Sequence, residues 1–362
     1  MTTQRNARSQ SILVLLILML VLISCIPSTP DLLTQLPVTS SSEPSFVWLE
    51  IYFTNPAAPH AMDYEGGPDE DLAAAIDKAR LSVDVAVYNL NLWSIRDALI
   101  NAHKRGVVVR MVMESDNMES QEIQQIQEAG IPVTGDQREG LMHNKFVVID
   151  RSEVWTGSMN FTTNGAYQDN NNLIRIRSAQ VAEYYTAEFN EMFEENLFGQ
   201  DVHAVTPNPS LMIDGTPVEI YFSPDDGAAA QLLALIQAAR ESIYFLAYSF
   251  TADDLGQTIR QRAADGLTVA GVMDDDQVNN NQGTEFDPFV QAGLDVLRDG
   301  NAGSMHHKLI IIDGKIVITG SYNFSASAEE RNDENVVIIF SPDVAAIYME
   351  EFHKVYDQAQ HP

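Results

Sequence analysis

The chain has 362 residues, 45% of them hydrophobic and 20% charged, a globular composition that can bury a core without disulfide staples. Its 21 Lys and Arg against 51 Asp and Glu give a formal charge of −30, spread along the chain instead of collected in a tail, so its surface repels polyanions at long range. Cys25 is its one cysteine, which excludes an intrachain disulfide and a cysteine-based metal site.

The first eleven residues carry Arg5 and Arg8 and no acid, and Ile12–Ile23 is a nearly unbroken apolar run. That run is short of the ~20 residues needed to span a bilayer as a helix, so a cleaved signal over residues 1–24 is expected, not an anchor. The ending Leu22-Ile23-Ser24-Cys25 resembles the bacterial lipoprotein cleavage box. The resemblance implies a lipidated Cys25 and an exported, membrane-anchored protein facing the outside of the cytoplasmic membrane; ordinary secretion is the alternative. Residues 25–45, rich in Pro, Ser and Thr, read as a flexible tether.

The body then reads twice. LEIYF at 49–53 matches VEIYF at 218–222, Ser82–Leu90 matches Ser242–Phe250, and Val107–Glu114 matches Leu267–Asp274, in the same order. Helices are predicted over Glu70–Arg80 and Leu92–Lys104, each before a β-branched run, Val83–Tyr88 and Val107–Met113. Such alternation predicts an α/β fold: two pseudo-twofold-related sandwich halves, each a mixed sheet flanked by helices. The halves are expected at 46–200 and 217–357, with a proline-containing connector at 201–216 and a longer loop around Asp63–Pro68 in the first. Tyr88 and Tyr248 hold matching places after the second strand of each half; core packing suits them as well as cleft lining, and they are not counted in the site.

Each half carries one copy of HxKxxxxD followed by GSxN, 163 positions apart. The first is His143, Lys145, Asp150, Gly157, Ser158 and Asn160; the second is His306, Lys308, Asp313, Gly320, Ser321 and Asn323. Period-two alternation puts His143 with Lys145, and His306 with Lys308, on one face of a strand that turns at Asp150 or Asp313. One imidazole can attack phosphorus while the other protonates the leaving oxygen. Lys145, Lys308, Asn160 and Asn323 can meet charge on the nonbridging oxygens, so no metal or cofactor is called for. Asp150 and Asp313 are counted with the site, although a position at a strand turn suits capping of backbone amides better. Gly157 and Gly320 are expected to allow the close approach that brings the asparagines in.

These paired motifs, together with VEIYFSPDD, IQAARESIYFLAYSFT and MHHKLIIIDGKIVITGSYNFSASAEERNDENVVII, resemble the phospholipase D superfamily over nearly all of residues 46–357. The resemblance implies a metal-independent double displacement through a phosphohistidine, with His143 as nucleophile and His306 as general acid. It also implies a carboxylate that orients a catalytic histidine. Glu334 fits, whereas the matching residue of the first half is Asn171, and Asp169 lies two residues earlier. A carboxylate raises a histidine's pKa, so the histidine served by Glu334 is expected to be the better acid; the sequence leaves open which one that is.

Three readings of function follow. The first is a phosphoric diester hydrolase of the phospholipase D type acting on a phospholipid headgroup, favoured by the expected membrane tether. The second is an extracellular metal-independent endonuclease, favoured by the likeness to the small bacterial nuclease branch and opposed by the charge, since nucleic-acid binding draws on Lys and Arg. The third is a noncatalytic surface binding module, which two intact motifs oppose. No obligate protein partner is implied.

Overall fold

The computed structural model describes residues 46–201 and 209–361, so the expected signal segment, Cys25 and the tether lie outside the described residues. Seven strands form the first sheet: β1 Leu49–Phe53, β2 Ser82–Val87, β3 Val108–Met113, β4 Val133–Gly135, β5 Lys145–Ile149, β6 Glu153–Gly157 and β7 Asn172–Arg177. Eight form the second: β8 Ser210–Ile213, β9 Thr216–Ser223, β10 Ser242–Ala247, β11 Thr268–Met273, β12 Asp295–Arg298, β13 Lys308–Ile312, β14 Ile316–Gly320 and β15 Glu334–Phe340. The orders are β1-β7-β6-β5-β2-β3-β4 and β12-β11-β10-β13-β14-β15-β9-β8, the same arrangement read from opposite ends with β8 added at one edge. Both sheets are mixed: β2 runs parallel to β3 and antiparallel to β5, as β10 does to β11 and β13. The α/β fold with two repeated halves is therefore the one expected.

Local chemistry explains most of the element boundaries. The helix predicted from Glu70 begins earlier, at Pro68, because proline lacks the amide that the first helical position leaves unpaired and brings a preset φ. It stops at Lys78, short of Arg80, because the Arg80, Leu81 and Ser82 amides turn away to the Asp150 carboxylate. The segment read as a connector holds β8, whose alternating Leu211 and Ile213 bury one face against β9.

The halves share a core. β5 and β13 are buried along their whole length, as befits central strands covered on both faces. Two long helices, Ala179–Glu194 and Pro342–Gln360, bridge the sheets: the Tyr185 hydroxyl of the first reaches Asn335 of β15, and the Tyr348 hydroxyl of the second accepts from Asn172 of β7. Thr156 of β6 donates to Asn335, and Thr319 of β14 to Asn172, so each half supplies the partner for the other's buried asparagine. The backbone is laced in the same crosswise way, with His143 N donating to Asp333 O at 3.0 Å and His306 N to Asn170 O at 2.9 Å.

Candidate active site

Each motif histidine sits just ahead of a central strand, β5 or β13, held by a carboxylate that follows the strand two places along the sheet, β3 or β11. The Met142 amide donates to Glu114 Oε2 and the Met305 amide to Asp274 Oδ2, both at 3.0 Å, which fixes the backbone before His143 and His306. Sequence reasoning did not pick out these two acids, although both close the third strand in the matched segments. Burial raises the pKa of both, Asp274 to about 6.

The side chains then converge across the twofold seam. Nδ1 of His143 lies 2.8 Å from Glu334 Oε2, contributed by the other half. Nδ1 of His306 lies 2.9 Å from Asn171 Oδ1, again from the other half. Asn171 is oriented by its surroundings: its Nδ2 donates to Gly165 O at 3.0 Å and its Oδ1 accepts from Ser158 Oγ at 2.8 Å. That oxygen can only accept, so His306 carries its proton on Nδ1, and Nε2 is left for chemistry. Glu334 thus serves His143, the assigned nucleophile, so the expectation that its partner is the acid conflicts with the roles the family resemblance implies; the conflict is resolved by the other service a carboxylate gives, stabilising the positive ring that forms when an imidazole bonds to phosphorus. Asp169 does not replace the missing acid, since its carboxylate accepts the Ser304 amide at 3.0 Å.

Lys145 and Lys308 follow on the same face, almost wholly buried at 1% and 2% exposure. Their Nζ atoms donate to the carbonyls of His143 and His306 at 2.6 and 2.8 Å. Ammonium groups so desolvated are destabilised. Burial pushes Lys145 down to about 7 against the pull of Glu334, and Lys308 well below the usual lysine range, with Lys145 adding repulsion. Burial lowers His143 to about 4 although Glu334 opposes it, while His306 is lowered by burial and then by Lys308, Lys145 and His143 together. The two motifs therefore form a single electrostatic unit: a pocket of four basic groups kept short of positive charge, to which an anion restores what burial removes.

Two rings omitted at the sequence level belong to this unit. Tyr88 stands edge-on to His143 at 5.0 Å and Tyr248 to His306 at 4.5 Å, with the Lys145 and Lys308 ammonium groups 5.3 and 4.6 Å from the same rings. Cation–π attraction partly offsets the desolvation of the lysines. The signal was their matched place in the repeat.

Asn160 and Asn323 follow the tight turns at Gly157 and Gly320, where an added Cβ would lie 2.3 Å from Asn172 O and 2.2 Å from Asn335 O. Close approach is thus the reason for glycine at both. The buried Oδ1 atoms of Asn160 and Asn323 find no hydrogen-bond partner among the described residues. Asp150 and Asp313, in contrast, are not brought to the site. Each lies past the far end of its strand, roughly 16 Å along the chain direction from the motif lysine. Asp150 accepts the Arg80, Leu81 and Ser82 amides at 2.7–3.1 Å, and Asp313 accepts those of Arg240, Glu241 and Ser242 at 2.7–3.1 Å. Their expected place among the catalytic residues is therefore corrected: both adopt a left-handed backbone, φ 52° and 54°, and lock the turn to the start of the paired strand, β2 or β10.

Comparison with known proteins agrees with this geometry. The family model described as "Cardiolipin synthase, PLD-like domain" matches twice, at residues 72–193 and 232–356, once in each half. Phospholipase D from Rickettsia bellii is 31% identical over 153 residues, covering 41% of this chain and 76% of that protein. Mitochondrial cardiolipin hydrolase from Mus musculus is 31% identical over 152 residues, 42% of this chain, and that from Chlamydomonas reinhardtii 31% over 136 residues, 38% of this chain. The chain spans only 66% and 60% of the lengths of these two hydrolases. Among solved structures, phosphatidylserine synthase from Haemophilus influenzae aligns over 80% of this chain and 84% of its own, with a TM-score of 0.63 at 13% identity, a likeness of fold alone.

Proposed function

We propose that this chain, which belongs to the PLD-like domain family, is a phosphodiesterase that cleaves a phospholipid headgroup diester through a phosphohistidine on His143, with His306 as the acid and base. The observation that carries the assignment is the unequal pairing of the histidines, a carboxylate for His143 and a carboxamide for His306.

A neutral His143 donates Nδ1–H to Glu334 and presents the Nε2 lone pair. As Nε2 bonds to phosphorus, positive charge grows on the ring and the carboxylate stabilises it, the service an acid performs for the histidine of a hydrolase triad. His306 has a partner without charge, so nothing beside it holds a proton that it must give up. Protonated on Nε2 when the anionic substrate is bound, it delivers that proton to the departing alkoxide. Water then attacks phosphorus and passes a proton to the now neutral His306, the N–P bond breaks, and His143 leaves as neutral imidazole. Charge on the nonbridging oxygens is met by Lys145, Lys308, Asn160 and Asn323; donors of this kind contribute on the order of 3 kcal/mol each to barrier lowering.

A lipid substrate is supported by two features. The formal charge of −30 opposes the approach of a polynucleotide, and a lipidated Cys25 would keep the site within tether reach of a bilayer. The test is to offer phosphatidylcholine vesicles and plasmid DNA side by side, at low salt in excess EDTA. Headgroup release without nicking is expected; nicking alone would replace the lipid by a nucleic acid as substrate, and activity abolished by EDTA would overturn the mechanism.

A further inference from the structure

Outside the catalytic seam, the first half holds a cavity of about 550 Å³ with an unusual wall. Three aromatic residues, Tyr64, Trp93 and Tyr167, and three acids, Asp69, Glu70 and Glu122, line it, with no Lys, Arg or His among its lining residues. Trp93 is 67% exposed, and its indole N–H donates to Glu122 Oε1 at 3.0 Å, which fixes the ring beside a carboxylate. Tyr64 stands edge-on to the buried Tyr167, ring centres 5.7 Å apart. Asp69 is 2% exposed; its Oδ2 accepts from Ser94 Oγ at 2.5 Å. The Tyr167 hydroxyl is directed at the same carboxylate and held neutral by burial and by that contact.

The duplicated fold supplies an internal control. The second half has a cavity of about 590 Å³ at the matching place, and it too is acidic, lined by Asp253, Asp254, Glu329 and Glu330. Acidity alone therefore says little in a chain of this charge. The second wall holds a single aromatic residue, the buried Tyr322, whereas the first holds three: Trp93 stands where the second has Asp253, Tyr167 where it has Glu330, and Tyr64 comes from the loop that is longer in the first half. Electron-rich ring faces beside desolvated carboxylates are the surroundings that favour a weakly hydrated organic cation over sodium or potassium. One face of Trp93 is already covered by a cation of this chain, the Arg96 guanidinium, which pairs with Asp97 at 2.7 Å and lies 5.5 Å from the ring centre, so the proposed ligand takes the remaining ring surface of the wall.

We propose that this cavity binds an organic cation of the quaternary ammonium or protonated amine class. The site is separate from the histidines and does not depend on which diester they cleave. It borders the catalytic loops, because Asn91 and Thr163 of its wall follow closely on Tyr88 and Asn160. Its ligand is either the cationic part of a zwitterionic lipid headgroup or a free amine.

The test is calorimetric titration of the full chain with tetramethylammonium chloride and with choline chloride, against sodium chloride at equal ionic strength. Saturable binding at one site per chain is expected for the organic cations and none for sodium. Trp93→Ala and Glu122→Gln should each weaken it about tenfold, as loss of a cation–π or carboxylate contact does. Asp253→Asn, in the matching cavity, should leave it unchanged, and so should His143→Ala, which separates this site from catalysis. Displacement of choline by phosphatidylcholine vesicles would assign the ligand to a headgroup; binding undisturbed by vesicles would assign it to a free amine. Failure of the native chain to bind saturably, or undiminished affinity in both Trp93→Ala and Glu122→Gln, would overturn the proposal.

Discussion

The carboxylate of Glu334 lies 2.8 Å from Nδ1 of His143, a residue of the opposite half, whereas Nδ1 of His306 meets the uncharged Asn171 carboxamide at 2.9 Å. If that difference sets the division of labour, Glu334→Gln removes the charge that stabilises the phosphorylated imidazole without removing the hydrogen bond. The expected result is a fall of up to about 10⁴ in kcat with KM little changed, by analogy with triad carboxylates. Asn171→Ala should cost only about tenfold, since it loses orientation and no charge.

The pH profile follows from the same cluster. His143 must be neutral to attack, and burial lowers it to about 4, so kcat/KM is lost as pH falls through about 4. His306 must be protonated to give up its proton, and burial with the neighbouring lysines lowers it well below the usual histidine range, so kcat/KM is lost as pH rises through a limb below about 6.5. Lys145 must be charged to hold the phosphate, and burial lowers it to about 7, so its loss of charge adds to the same alkaline limb. Since kcat/KM reports groups of the free enzyme, a narrow bell on the acid side of neutrality is expected. An alkaline limb at the ordinary lysine value, about 10.4, would show that burial does not control the site.

Asp150 and Asp313 should behave as parts of the scaffold. Each carboxylate accepts three backbone amides, and those amides hold Asp313 below the usual aspartate pKa against the opposing effect of burial. A depressed folded-state pKa gives stability that is present at neutral pH and lost in acid. Asp313→Asn should lower stability by about 1–2 kcal/mol in denaturant melts and leave kcat of the folded fraction near native. A large loss of kcat without loss of stability would return the residue to the chemistry.

The membrane tether is tested apart from the site. Cys25→Ser should release the chain from membranes while leaving hydrolysis of a soluble diester unchanged; unchanged membrane retention would contradict lipidation.

Much of this was legible in the sequence because the gene speaks twice. Matched segments give the same order of elements along the chain in both halves, and the motif spacing puts His143 and Lys145 on one strand face. What the sequence withheld depends on the seam. Glu334 follows its own motif closely in the chain yet serves the histidine of the other half, and no local pattern reports a crossing of that kind. The role of Asp150 turns on a left-handed backbone that points its carboxylate at the Arg80–Ser82 amides, again a matter of tertiary placement. Tyr88 and Tyr248 were visible as matched residues, but a tyrosine at a strand end packs into a core or lines a cleft with the same sequence signature.

The central claim, a covalent intermediate on His143 resolved by His306, is tested most directly by trapping it. With bis(p-nitrophenyl) phosphate the leaving group needs little protonation, so His306→Ala should still form the adduct and then stall for want of a base. A burst of about one equivalent of p-nitrophenolate per chain is expected, with the p-nitrophenyl phosphoryl mass on the peptide containing His143, and neither burst nor adduct in His143→Ala. An adduct on His306 in the His143→Ala chain, or steady turnover in His306→Ala with no modified His143, would contradict the account.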